Sequence, residues 1–211
     1  MPNITSKEKR DRLLFIIKVL RQHEVLRNFL KQKDPKEVRL ALEKLGPTFI
    51  KAGQLLSTRP DLISPAFIKE FRKLQDNVQI DPFTTVQKTL EAEYNCPLTD
   101  IFLQFDERPF ASGSIGQTHH ALLHDHTPVV VKVQHPNVSE LVETDLSLFK
   151  EALRILKFVP DLSVIDPKEI FTEIQTSLLT EIDTQIELKN GLEFYRLNNN
   201  DGIIRVPKVY P

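Results

Sequence analysis

The sequence predicts an α+β fold in which a helical region, residues 1–96, precedes a small antiparallel sheet interleaved with helices, residues 97–211. Two observations support this prediction. In the first part, prolines that follow a capping residue mark the start of several helices. Near residue 100, short segments rich in β-branched and aromatic residues replace the helical pattern.

The helical region begins with an amphipathic stretch. Apolar residues recur at helical spacing from Leu13 to Leu30, with charged residues between them, which predicts a helix over 5–32. Such a helix most often packs, although the pattern also suits one lying on a membrane or a partner. Pairs such as Asp34-Pro35 and Ser64-Pro65 join a capping residue to a proline at the first helical position. The helices that follow are predicted over residues 35–45, 47–58, 64–76 and 82–95.

The second part combines short strands with helices. Residues 101–105 and the two segments beside a polar turn at 124–127 predict an antiparallel meander. Two helices and a last strand complete the prediction, over residues 141–158, 166–197 and 203–206. Asn198 to Gly202 supply the residues that commonly end a helix.

The composition is that of an ordinary globular protein. Hydrophobic residues make up 40% of the chain, charged residues 27%, and the net charge is −1, which argues against a nucleic-acid partner. Cys96 is the only cysteine, which excludes an internal disulfide and a thiolate zinc cluster and favours the reducing cytoplasm. Lys18 and Arg21 interrupt the N-terminal apolar patch, which argues against a secretory signal.

Residues 109–136 have the features of a phosphate site. A turn of small residues precedes a β-branched strand that presents Lys132, and the turn contains Ala111, Ser112, Gly113, Ser114 and Gly116. Small residues let backbone amides approach an anion, and the lysine adds a positive charge. The order of loop, strand, lysine strand and acid-bearing helix is that of a protein-kinase N-lobe. The loop lacks the GxGxxG pattern, and a lysine that closes a strand is commonly just solvated.

Four segments, in order across residues 44–190, resemble the UbiB family of atypical kinase-like proteins. They are the KxGQ segment Lys51-Ala52-Gly53-Gln54, the loop from Ser114 to Gln117, the lysine strand Lys132 to Pro136, and the ExD segment Glu181-Ile182-Asp183 with Glu187. The loop departs from the family's run of alanines, because Gly113 removes a β-carbon and makes the backbone more permissive.

The resemblance implies that the KxGQ helix docks into a nucleotide cleft with Lys51 and Gln54 pointing inward. It implies that Lys132, Glu187 and the loop with Gln117 hold the nucleotide. For the intact family protein it implies ATP and magnesium as ligands and a supporting role in ubiquinone or related isoprenoid-quinone biosynthesis. It also implies membrane lipid or quinone-biosynthesis proteins as partners, for a cytoplasmic protein peripheral to the membrane.

Helical geometry restricts how the acidic residues are used. At ~100° per residue, Asp183 and Glu187 lie about 40° apart on a helix, whereas Glu181 and Asp183 lie about 160° apart. A straight helix therefore cannot aim all three at one lysine. We predict a break near 181–184, or a separate partner for Glu181, with Glu187 paired to Lys132 and either Glu181 or Asp183 paired to Lys51.

The sequence contains neither an HxD catalytic loop nor a DFG-like triplet. We therefore expect an N-terminal fragment that ends near the hinge, with the C-lobe absent and no catalytic or metal-binding residue in the chain, so nucleotide binding by these residues alone stays open. An alternative is a non-catalytic partner- or lipid-binding module on a kinase-like scaffold. A third is an unrelated helical protein, in which Lys51 and Lys132 would lie on opposite surfaces. His124 and His126 are expected to be solvated turn residues.

Overall fold

The computed structural model describes residues 5–75, 80–156, 167–198 and 203–210. The helices of the first part are α1 Ser6–Gln22, α2 Val25–Leu30, α3 Pro35–Leu45, α4 Pro47–Leu56, α5 Pro65–Phe71 with a 3-10 turn Arg72–Gln75, and α6 Phe83–Tyr94. Those of the second part are α7 Leu98–Ile101, α8 Val138–Leu156, α9 Pro167–Ile182 and α10 Thr184–Asn198. The strands are β1 Phe102–Phe105, β2 Ala111–Ser112, β3 Gly116–Leu123 and β4 Pro128–Gln134.

The prediction of one helix over 5–32 is wrong, because the chain turns between α1 and α2. Glu24 adopts the left-handed conformation, with φ 47°. The Asn28 amide donates to the carbonyl oxygen of His23 at 3.1 Å and closes the corner. The turn lets Val25 and Asn28 become buried, so tertiary packing overrides the local helical pattern. The helices predicted over 35–45, 47–58 and 82–95 are present to within two residues, and 64–76 is α5 with its 3-10 turn.

The predicted small antiparallel sheet is confirmed, with four strands. β4 pairs with β3 from Gly116↔Gln134 to Leu122↔Pro128. β1 and β2 both pair antiparallel with β3, at its two ends. The register sets Thr118 opposite Lys132, so the site lysine lies in the middle of a paired ladder.

The predicted strand over 203–206 is wrong, since no residue of 203–210 is assigned to a strand. This segment lies against α10 instead. A Cβ added at Gly191 would lie 2.7 Å from Val209 Cγ2, so the absence of a side chain admits the segment. The last helix ends at Asn198, within one residue of the prediction. The predicted helix start at 166, the helix end at 158 and the helix-ending residues 199–202 lie outside the described residues.

Three apolar clusters organise the described residues. One joins α1 to α5 and their 3-10 turn to Leu148 of α8, and one joins α6 to the sheet through Val86, Leu90 and Phe102. The third brings Ala52 of α4 and Ile115 of the loop against α8 and α9. This shared cluster places the KxGQ helix beside the loop, and the division at residue 96 stays a prediction. Within the described residues, no helix is long and apolar enough to cross a membrane.

Candidate functional site

Lys132 is held by a carboxylate from α10. Its Nζ donates to Glu187 Oε2 at 2.7 Å, the pairing predicted from the sequence. Both side chains are well exposed, with 42% and 60% of their surface accessible. An ion pair this exposed contributes little to stability, so its importance lies in fixing the position of the ammonium group.

Lys51 is held by a carboxylate from α9. Its Nζ forms an ion pair with Glu181 Oε2, and the exposures of 21% and 30% make this pair less accessible than that of Lys132. Of the two partners left open, Glu181 and Asp183, the structure therefore selects Glu181. Lys51 and Lys132 contact carboxylates on either side of one helix break. An unrelated helical protein is expected to have the two lysines on opposite surfaces, and this is not the arrangement found.

The break itself is formed by Asp183, between α9 and α10. The Asp183 N–H donates to Leu179 O at 3.2 Å, and its Oδ1 accepts from the N–H of Gln185 at 3.0 Å. Asp183 therefore ends one helix and caps the next. Glu181, before the break, pairs with Lys51, and Glu187, after it, pairs with Lys132, so both predicted alternatives, a break and a separate partner for Glu181, are present.

Gln134 ties the lysine strand to this break, a role that the sequence reasoning missed. Its Nε2 donates to Ile182 O at 2.7 Å, immediately before Asp183. Residues two apart on a strand share a face, so the spacing of Gln134 from Lys132 was the available signal. The contact fixes where α9 ends relative to β4, and hence where Glu187 meets the lysine.

The small-residue loop lies close against the lysine strand. The Gly113 N–H donates to Gly116 O at 2.8 Å, which closes a narrow turn. A Cβ at Gly116 would lie 2.4 Å from Val133 O, so only glycine allows this approach. Ser114 and Ile115 are buried. Ala111 and Ser112 pair with Thr118 and Gln117 as strand β2.

Two other predicted site residues make contacts within the fold. The buried Gln117 accepts from the N–H of Asp81 at 2.7 Å and donates to the ring of His119 at 2.9 Å. Gln54 donates to Leu74 O at 3.2 Å, away from the lysine strand. Their roles toward a nucleotide stay predictions. Gly53 admits the side chains of Leu74 and Leu42 rather than another backbone.

The site suits a phosphate better than a bound metal. Lys132 offers an exposed ammonium group beside a turn that is closely packed on its own strand. Among the described residues, no group of three or more His, Cys, Asp or Glu side chains could hold a metal ion. The exposed His124 contacts Thr99 O at 3.0 Å. The residues present therefore fit the phosphates of a nucleotide, and no magnesium ligand is assigned among them.

The sequence is similar to those of known proteins. The family model of the ABC1 atypical kinase-like domain matches residues 73–211. A Clostridium pasteurianum protein described as an uncharacterized protein in the hydrogenase 1 5′ region is 42% identical over 176 residues, 83% of this chain and 33% of its own. A probable protein kinase UbiB from Cellvibrio japonicus is 36% identical over 179 residues, 82% of this chain and 32% of its own.

A solved structure shows the same kinase-like fold. It is Rv3197 from Mycobacterium tuberculosis, described as a complex with erythromycin. The likeness has a TM-score of 0.56 at 26% identity and covers 75% of this chain and 40% of that one. The described chain is thus a helical extension on a kinase-like lobe with a small antiparallel sheet. It spans about a third of the length of the curated relatives it matches.

Proposed function

Because this chain belongs to the ABC1 atypical kinase-like family, we propose that it supplies the phosphate-binding part of a UbiB-like atypical kinase or ATPase. ATP, when bound, would supply the phosphoryl group. Lys132 binds the phosphate oxygens, and Glu187 orients the lysine from α10. The observation that carries the proposal is the 2.7 Å contact between these two side chains beside the small-residue loop.

In this proposal the loop presents its backbone, rather than large side chains, to the phosphate. It passes so close to β4 at Gly116 that a Cβ would overlap Val133 O. A phosphate bound by Lys132 would therefore face backbone of the turn rather than bulky side chains. We assign no catalytic residue within these residues, because the sequence has no HxD loop or DFG-like triplet.

The KxGQ helix would regulate access to the same site. Lys51 of α4 is bound to Glu181 of α9, and Ala52 shares an apolar cluster with Ile115 of the loop. Helix α4 is therefore held at two points, by the ion pair with α9 and by the apolar contact with the loop. In this proposal the ion pair between Lys51 and Glu181 sets how far α4 covers the opening.

Nucleotide binding is tested with the present chain. We expect ATP to raise its melting temperature, and Lys132→Ala to weaken ATP binding about tenfold or more, because charge-assisted contacts to phosphate are lost. Titration calorimetry with and without magnesium measures the affinity. Lys88→Ala is the matched control, since Lys88 is exposed on α6. ATP binding that is equal in both variants would remove Lys132 from the site.

We further propose that the whole protein supports ubiquinone or related isoprenoid-quinone biosynthesis, as the UbiB resemblance implies. Loss of the gene should then lower the isoprenoid-quinone content of the cell. Complementation with Lys132→Ala should fail to restore it, whereas complementation with Lys88→Ala should succeed. If both variants restored the quinone content, quinone biosynthesis would not depend on Lys132.

A lipid-binding role, the second candidate, is favoured by the outer face of α1. At ~100° per residue, the exposed residues of α1 span about 220° and include Asp11 and Glu8, but a sector of about 140° beside Asp11 has no acidic side chain. It carries apolar and basic side chains only, apart from Ser6, namely Leu13, Leu14, Ile17, Lys7, Arg10, Lys18 and Arg21. Apolar residues among basic ones suit an anionic lipid surface.

Vesicle sedimentation tests this second candidate. We expect the chain to sediment with vesicles that contain anionic phospholipid and to stay in solution with zwitterionic ones. Lys18→Glu should weaken binding at least about fivefold, since each basic residue near the surface adds roughly 1 kcal/mol. Leu103→Glu is the control, because Leu103 is exposed on β1. Equal binding to both kinds of vesicle would contradict an electrostatic role of this face.

A further inference from the structure

His135 contacts the phosphate loop from the end of the lysine strand. Its ring Nε2 lies 2.9 Å from Gly113 O, and its ring Nδ1 lies 2.6 Å from Asp81 Oδ2. Its backbone N–H donates to Ile115 O at 2.9 Å. The side chains of His135 and Asp81 are only 15% and 16% exposed. One residue therefore makes two contacts to the loop and one to the segment before α6.

The chemistry of the two ring contacts fixes the number of protons on the ring. A carbonyl oxygen and a carboxylate oxygen are both acceptors, and a neutral imidazole donates from only one nitrogen. With Asp81 ionised, both contacts are hydrogen bonds only when each ring nitrogen carries a proton. We propose that His135, as an imidazolium paired with Asp81, is a positioning residue that fixes the phosphate loop at Gly113.

His119 provides the contrast within the same molecule. Its Nδ1 lies 2.7 Å from Asp106 O, an acceptor, whereas its Nε2 lies 2.9 Å from the amide of Gln117. The Gln117 oxygen already accepts from the N–H of Asp81, so its nitrogen faces His119 as a donor. His119 therefore donates once and accepts once, as a neutral imidazole does. The two histidines are predicted to differ by one proton.

Asp81 is suited to anchor the loop because its own backbone is fixed. Its N–H donates to the buried Gln117 at 2.7 Å, and Pro82 next to it caps α6. The charge of His135 thus connects the start of α6 to Gly113. The consequence for nucleotide affinity rests on the proposed function, whereas the loop contact itself does not.

The ring protons are measured directly by two-bond proton–nitrogen correlation spectra of the chain labelled with nitrogen-15 in histidine. At pH 7 we expect both ring nitrogens of His135 to have protonated chemical shifts. His119 should show a protonated Nδ1 and an unprotonated Nε2 in the same spectrum. A ring nitrogen of His135 without its proton would overturn the proposal. This measurement uses the unmutated chain, so it does not depend on the folding of any variant.

Amide exchange tests the positioning role. His135→Gln and Asp81→Asn should each raise the exchange rate of the loop amides about tenfold, the effect of losing a charge-assisted hydrogen bond. His135→Arg, which stays charged and has several donors, should keep the loop protected. His124→Gln is the control, since His124 is exposed at the far end of β3. Loop exchange equal to that of the unmutated chain in His135→Gln would overturn the proposal.

Nucleotide titrations separate this inference from the proposed function. If the unmutated chain binds ATP, His135→Gln should weaken binding about tenfold while His135→Arg retains it. If the unmutated chain binds no ATP, the proposed function fails, and the ring protons and loop exchange still decide the role of His135. Faster loop exchange with unchanged ATP affinity would overturn the consequence for nucleotide binding.

Discussion

Among single residues, Gly53 in the KxGQ segment has little room for a side chain. A Cβ there would lie 2.4 Å from Leu74 Cδ1 and 2.7 Å from Leu42 Cδ1. Both leucines are buried, so neither can move without disturbing the core of the helical region. We expect Gly53→Ala to lower the free energy of unfolding by about 1–3 kcal/mol, the usual cost of overpacking. Urea denaturation at equilibrium measures it.

The matched control for Gly53 is Gly113 in the loop. A Cβ at Gly113 would meet only Gly116 O, at an ordinary 3.6 Å. Gly113→Ala should therefore change the free energy of unfolding by no more than about 0.5 kcal/mol. Equal losses in the two variants would show that helical packing at Gly53 tolerates a methyl group.

At the scale of elements, the helix break between α9 and α10 depends on the side chain of Asp183. Its carboxylate accepts from the N–H of Gln185, and none of the side chains of α10 is buried. Asp183→Ala should destabilise α10 by about 0.5–2 kcal/mol. Hydrogen exchange should report this loss as faster exchange in α10 with little change in α3.

Asp183→Asn serves as the control for the cap, because asparagine caps helices about as well as aspartate. We expect α10 of this variant to exchange at a rate close to that of the unmutated chain. If Asp183→Ala left the exchange of α10 unchanged, the cap would contribute nothing, and the contact of Gln134 with Ile182 O would have to fix the helix break alone.

The elements that could be predicted from the sequence are those with local causes. Proline at the first helical position predicted α3 and α5, and the angles between Glu181, Asp183 and Glu187 predicted either the break or a separate partner for Glu181. The turn at Glu24 could not be predicted, since its left-handed conformation is stabilised by packing of distant residues. The same holds for residues 203–210, which are not assigned to a strand and of which Val209 lies against Gly191 of α10.

The candidate site divides in the same way. The pairing of Lys132 with Glu187 is predicted from the UbiB resemblance together with the helix angles, whereas Gln134 and His135 act through carbonyl oxygens that are distant in sequence. A backbone acceptor leaves no signal in residue type, so the spacing of Gln134 from Lys132 indicates a shared face but not the partner Ile182 O. His135 is the clearer case, because its bridge needs Asp81 from the segment before α6.

At the scale of the whole molecule, Arg12 joins the N-terminal helix to the rest of the structure. Its Nε and Nη2 donate to the two oxygens of Asp145 on α8, each at 2.7 Å. Its Nη2 also donates to Leu45 O at the end of α3, again at 2.7 Å. The Asp145 side chain is fully buried. Three helices therefore meet at one buried ion pair, which the sequence reasoning did not identify.

Removing Arg12 would leave the Asp145 carboxylate buried without its cation. Such a loss costs about 3–5 kcal/mol, so Arg12→Ala should lower the free energy of unfolding by that order. Lys9→Ala is the matched control, because Lys9 also joins α1 to α8, through Ser147 and Glu151. Its ion pair is more exposed and should cost less than about 1 kcal/mol. Equal losses in equilibrium unfolding would mean that the burial of Asp145 does not decide how α1 is attached.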